Sequence, residues 1–145
     1  MSPHHEILAL LTAYAEAMDV GDFRAVGRLF GRATLRNARD PERVVASGED
    51  HITELLERTI RMHDGSPGEQ HLTANTIVEI DDANGTASAR SVYVVFMAAP
   101  GFPLQPTGAG RYHDRFARDD SGWYFTDRLF VQDLEGDQSA HAATN

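Results

Sequence analysis

The order of the periodicities constrains this chain most: helical spacing comes first and strand alternation follows, with no return to helix. The first segment places Ile7, Leu8, Leu11, Ala15 and Met18 on one stripe at the 3.6-residue period of an amphipathic helix. Gly21 ends it, and Asp22 is placed to cap a second helix carrying Phe23, Val26, Leu29 and Phe30. Residues 33–47 read as short strands joined by a turn at Asp40-Pro41. A third helix is predicted over 49–63, with Ile52, Leu55, Leu56 and Ile60 aligned and the run Asp64-Gly65-Ser66-Pro67-Gly68 stopping it. Strands then follow at 71–80, 86–97, 109–118 and 123–134, the first two joined by a hairpin turn at Asn84-Gly85. The proline-spaced stretch 100–106 reads as a mobile loop able to close a pocket mouth. Helices followed by antiparallel strands define an α+β domain, with the helices on one face of the sheet. One domain is expected over 1–134, followed by a polar, disordered tail over 135–145.

Charge and composition exclude several functions. The net charge is −9, from 22 acidic and 13 basic residues, and every basic residue is arginine. That balance opposes nucleic-acid binding, which rests on Lys and Arg neutralising phosphates. The arginine bias suggests a high-GC bacterial genome. There is no cysteine, hence no disulfide and no thiolate metal site. No apolar run approaches the roughly 20 residues of a membrane helix. The start Met-Ser-Pro-His-His-Glu has no basic segment before its apolar residues, so a cytoplasmic location is expected. In the strand at 86–97, Val92, Val94 and Phe96 alternate with Tyr93, Val95 and Met97, so both faces are apolar. Three short helices cover only one face. The other is expected to meet a second copy, in a homo-dimer or trimer.

Three stretches carry a resemblance: Tyr14-Ala15-Glu16-Ala17-Met18-Asp19-Val20-Gly21-Asp22 with Leu29-Phe30; His71-Leu72-Thr73-Ala74-Asn75; and Gly110-Arg111-Tyr112-His113-Asp114 with Gly122-Trp123-Tyr124-Phe125 and Arg128. Together they resemble the SnoaL-like family of the nuclear-transport-factor-2-like superfamily, which includes polyketide cyclases, scytalone dehydratase and hexachlorocyclohexane dehydrochlorinase. The resemblance implies a cone, in which a curved antiparallel sheet wraps about three N-terminal helices around an internal pocket. It also implies that Asp19 holds His71 as a catalytic pair and that Arg128 stands near them. The chain departs from the dehydrochlorinase pattern at Tyr14, where a lysine is expected.

Imidazole takes and returns a proton near neutral pH, and a carboxylate on its other nitrogen fixes tautomer and orientation. His71 would be the base, Asp19 its orienting partner, and Arg128 with Tyr14 the stabilisers of developing charge. Strand parity puts Asn75 on the face of His71, and Arg128 with Tyr124 and Thr126 opposite Trp123 and Phe125. Tyr93 and Tyr112 are further lining residues. Each also has an ordinary reading: a strand-end histidine is commonly exposed, an arginine beside Asp127 is commonly a surface pair, and tyrosines commonly fill cores. The remaining histidines, His4, His5, His51, His63, His113 and His141, are scattered without zinc spacing, so no metal and no cofactor is expected. The sequence therefore points to a cofactor-independent lyase or isomerase acting on a small, largely apolar molecule. Its alternative is a non-catalytic binding or assembly module of the same fold.

Overall fold

The computed structural model describes residues 1–143. Ser2 caps α1 (Pro3–Val20) by accepting from the His5 N–H, and Pro3 supplies the φ that suits a first turn. Gly21, at φ 74°, closes the helix in the left-handed region that favours glycine. Asp22 then accepts from the Ala25 N–H and starts α2 (Phe23–Leu29). Two short strands follow, β1 (Thr34–Asn37) and β2 (Asp40–Ser47), and then α3 (Glu49–Thr59). The third helix ends earlier than its periodicity predicts, because Ile60 turns extended and bridges Ala142. Four long strands complete the domain: β3 (Glu69–Asp81), β4 (Thr86–Ala99), β5 (Phe102–Asp119) and β6 (Gly122–Glu135).

The six strands lie in the order β2-β1-β6-β5-β4-β3. All neighbours are antiparallel except β1 and β6, which run parallel and make the sheet mixed. The sheet stays open and bends around the helices. Ile7, Leu11, Val26, Phe30, Ile52, Phe116, Trp123 and Phe125 form the core between them. Bulges produce the bend by setting two residues against one. Asn75 and Thr76 oppose Ser91, Thr107 is the extra residue in β5, and Thr126 and Asp133 are the extras in β6.

The stretch 100–106 is not a loop. Pro100-Gly101 makes a tight turn, and β5 begins at Phe102. Proline is tolerated here because β6 pairs with β5 only from Gly108 onward, so the strand carrying Pro103 and Pro106 is locally an edge. The tail also differs from expectation. Residues 136–143 fold back over the open end of the cone and bury Ala140 beside Met97 and Phe102. The expected disorder of residues 144 and 145 lies outside the described residues. Among the described residues, no helix is long and apolar enough to cross a membrane.

Candidate active site

Asp19 sits in the last turn of α1, where the helix passes the start of β3. Its Oδ1 accepts twice from one residue, from the His71 backbone N–H and from the ring at Nδ1, each at 2.8 Å. The backbone bond sets the depth of the strand against the helix, and the ring bond sets the imidazole plane. A carboxylate oxygen only accepts, so Nδ1 carries the ring proton and Nε2 keeps its lone pair. The His71 side chain is 6% exposed and Asp19 is 23% exposed. Nε2 has no hydrogen-bond partner among the described residues. Such an imidazole can accept a proton at Nε2, and the fixed carboxylate stabilises the imidazolium that forms.

Tyr14, one turn and a half before Asp19, packs edge-on against the His71 ring, with centroids 6.1 Å apart. It also meets Tyr112 edge-on at 5.8 Å, and Tyr112 stacks on Tyr93 at 4.5 Å. Gly110 makes the stack possible, since a Cβ there would lie 2.9 Å from the Tyr93 ring and 2.0 Å from the Val131 carbonyl oxygen. Burial raises the hydroxyls of Tyr14, Tyr93 and Tyr112 above the ordinary phenol range, for Tyr14 and Tyr112 against the pull of Arg128. All three stay protonated donors at neutral pH.

Arg128 is placed differently from expectation. It is fully buried and pairs with Asp114 across β5 and β6 through two hydrogen bonds, Nε to Oδ1 at 2.7 Å and Nη2 to Oδ2 at 3.0 Å. Its guanidinium carbon lies 3.8 Å from the Tyr112 centroid and 4.3 Å from that of Tyr14, with Phe30, Phe125 and Phe130 closing the cage. Burial pushes the Asp114 carboxyl up and Arg128 draws it back, while Asp114 more than reverses the effect of burial on Arg128. Arg128 thus stands behind the tyrosines and does not border an open cavity. Its predicted face was also inverted. The extra residue Thr126 flips the alternation, so Phe125 and Arg128 both point inward.

A bulge likewise removes Asn75 from the cluster. Asn75 has φ 53° and is exposed, and beyond it Thr76, Val78 and Ile80 face the helices in place of the odd-numbered positions. An asparagine within a strand pattern was the available signal, because Asn tolerates the left-handed region that a bulge can require. His71, Asp19, Tyr14, Tyr93 and Tyr112 are brought together; Asn75 is not.

The tyrosines occupy much of the cone. A cavity of about 150 Å³ remains at its open end, lined by Tyr93, Val95, Thr107, Gly108, Gln132, Gln138 and His141. Val95 is the cross-strand partner of His71, so the cavity begins one strand away from that ring. Sequence reasoning missed Thr107, Gln132 and Gln138, and it set His141 aside as one of several scattered histidines. Among the described residues, no group of three or more His, Asp or Glu could hold a metal ion.

Three helices wrapped by a bent, open, mixed sheet define a class of small α+β domains. Within that class the chain belongs to the SnoaL-like family, whose domain model matches residues 2–129. Three solved structures from Novosphingobium aromaticivorans show the same fold. A nuclear-transport-factor-2-like protein with a cystatin-like fold is 23% identical at a TM-score of 0.75, covering 95% of this chain and 86% of its own. A candidate scytalone dehydratase is 22% identical at 0.69, covering 94% and 88%. The β subunit of a candidate aromatic-ring-hydroxylating dioxygenase is 16% identical at 0.70, covering 95% and 94%. At these identities the likeness concerns fold alone. No curated protein matches the chain.

Proposed function

We propose that this protein is a cofactor-independent lyase or isomerase in which His71, oriented by Asp19, removes a proton from a small, largely apolar molecule held in the cone. The observation that carries the reading is a buried imidazole with Nδ1 tied to a carboxylate at 2.8 Å and Nε2 left unengaged. A structural histidine ordinarily uses both nitrogens or stands in water. General-base action of this kind contributes roughly 10²–10⁴-fold. Tyr14 and Tyr112, protonated at neutral pH, are the donors for an oxygen that gains charge as the proton leaves.

The test is α-proton exchange of small cyclic ketones in D₂O, followed by NMR. The native chain should accelerate exchange of at least one ketone, and His71→Ala should lose about 10²-fold or more at unchanged Tm. Full exchange in the variant would refute the assignment.

A second reading, a binding or assembly module, draws support from the tyrosines that fill the cone and from the outer sheet face. There Leu72, Val94, Ala109 and Leu134 form one row across β3, β4, β5 and β6, with Leu72 52% and Leu134 69% exposed. We infer that this row meets a second copy of the chain. Sedimentation as a monomer at micromolar concentration would contradict that inference.

A further inference from the structure

The outer face of the sheet, opposite the cone, is hollowed between its bulged strands. A depression of about 280 Å³ crosses five strands there, walled by Ile77 of β3, Arg90 of β4, His113 and Arg115 of β5, Leu129 of β6 and Arg36 of β1. Ala89, Asp114 and Arg128 alternate with these residues and are buried, so the depression faces away from the helices. The extra residues at Asn75-Thr76 in β3 and Thr126 in β6 border it, and a bulge sharpens the local twist that curves a sheet. One row, running through Val92 and Arg111, separates it from the row of Leu72 and Leu134.

Its arginines are paired differently from the others on the sheet. The chain carries 22 acidic residues for 13 basic ones, so carboxylate partners are plentiful. Among the arginines of the four long strands, Arg111, Arg118 and Arg128 each hold a carboxylate. Arg90 and Arg115 hold none among the described residues. Yet they are close neighbours. Arg90 stands opposite His113, two residues before Arg115, which sets the Cβ atoms of the two arginines about 7–8 Å apart on the diagonal. Like charges so placed repel each other, and His113 between them brings no anion.

The carboxylates that border the depression do not relieve this. Arg36 holds Asp127 through Nε at 2.8 Å and Nη2 at 2.7 Å, and the Thr34 hydroxyl donates to the same group at 2.7 Å. Asp114 points inward to Arg128. Glu79 lies on β3, diagonal to Arg90, and bonds to neither arginine.

We propose that this depression is a second ligand site, separate from the cone, for an organic monocarboxylate built on an apolar ring. Arg90 and Arg115 clamp the carboxylate, and Ile77 and Leu129 take the ring.

A guanidinium presents a planar fork of N–H donors that matches a carboxylate, and two long side chains on one diagonal converge on a single anion between them. The His113 imidazole lies alongside as a further donor. Three arginines face two carboxylates here, on a chain whose net charge is −9, so the depression attracts an anion that the rest of the surface repels. Glu79 opposes a second negative charge and favours a monoanion. Ile77 is 47% exposed beside these charged groups, an apolar surface that a ring would cover. The volume falls just under the roughly 300–1,000 Å³ of pockets for drug-sized ligands, which suits a single ring with its carboxylate.

The test is a ¹H–¹⁵N NMR titration of the full-length chain with sodium benzoate at constant ionic strength. Acetate, inorganic phosphate and benzyl alcohol serve as comparisons, offering the carboxylate without the ring, a different oxyanion, and the ring without the charge. Benzoate should give saturating shifts centred on the amides of Ile77, Arg90, His113 and Arg115, with a Kd of about 1 mM or below. Each comparison compound should bind at least about 10-fold more weakly. Arg90→Gln and Arg115→Gln should each weaken benzoate by about 10-fold or more, the scale of a lost charge-assisted hydrogen bond. Both side chains are exposed, so Tm should hold. His71→Ala should leave the titration unchanged.

Shifts that rise linearly with benzoate, or that persist in Arg115→Gln, would overturn the proposal. Acetate or phosphate binding as tightly as benzoate would overturn it as well. Shifts centred on Tyr93 and Thr107 would place the carboxylate inside the cone. Shifts that follow protein concentration instead of benzoate would assign the two arginines to acidic residues of a second copy. Either result would refute a separate site.

Discussion

Two pairs of ionisable side chains lie on the same concave face, yet they are bonded differently. Arg128 and Asp114 face each other across β5 and β6, both fully enclosed, with two good hydrogen bonds and five aromatic rings around them. His71 and Asp19 meet across β3 and α1 with a single ring contact, and Asp19 stays partly in water. Arg128 spends Nε and Nη2 on Asp114, and its Nη1 is enclosed without a partner among the described residues. The second pair leaves one nitrogen free to react. The difference shows that burial and charge alone do not mark a reactive group. On the proposed reading, what marks it is a basic nitrogen with a free lone pair, which His71 Nε2 has and a guanidinium lacks.

Breaking the closed pair should have the largest effect. Arg128→Ala strands the Asp114 carboxylate in the core and should destabilise the fold by about 3–5 kcal/mol, read as a lower urea midpoint at constant m. Changing both partners to apolar residues, Arg128→Met with Asp114→Leu, removes the stranded charge. The double variant should fall near native stability, or above it by about 1–4 kcal/mol. A double variant as unstable as the single one would show that the pair does more than neutralise itself.

Loosening the open pair should instead affect rate. Asp19→Asn can donate to Nδ1 and so permit the wrong tautomer. α-Proton exchange should drop by about 10²-fold or more, up to the roughly 10⁴-fold that the wrong tautomer can cost, with little change in Tm. A large stability loss with unchanged exchange per folded molecule would place this pair in the same class as the first.

The smallest expected effect concerns pH and the C-terminal segment. His141 has its folded value raised by Glu69. Its contribution to docking is therefore fully present below the unfolded imidazole value of about 6.5 and is lost as pH rises through the raised folded value. Amide exchange of residues 138–143, corrected for intrinsic rates, should speed up on going from pH 6 to pH 9, while the core strands stay protected. Glu69→Gln should abolish that dependence.

Much of the fold was legible because it rests on local signals. Helical stripes, Gly21 and Asp22 at a helix junction, and Asn84-Gly85 between two strands each settle structure within a few residues. Strand parity was less legible. A single extra residue at Thr126 turns Arg128 inward beside Phe125, and the bulge at Asn75 turns its side chain out to water. Whether a strand carries an extra residue depends on its neighbour, which lies far away in sequence. The segment 100–106 misled for a related reason, since its prolines are acceptable only because β6 does not reach that far along β5. His71 and Asp19 were found through a matching pattern over the whole domain. The contact between His141 and Glu69 could not be read that way, because it depends on a polar tail returning to a carboxylate 72 residues earlier.

The central claim is that reactivity resides in the free nitrogen of His71 and not in the enclosed guanidinium of Arg128. The most direct test measures α-proton exchange per folded molecule in His71→Ala and in the Arg128→Met, Asp114→Leu double variant, side by side. The account predicts a loss of about 10²-fold or more in the first and a rate within severalfold of native in the second. The reverse pattern would contradict it.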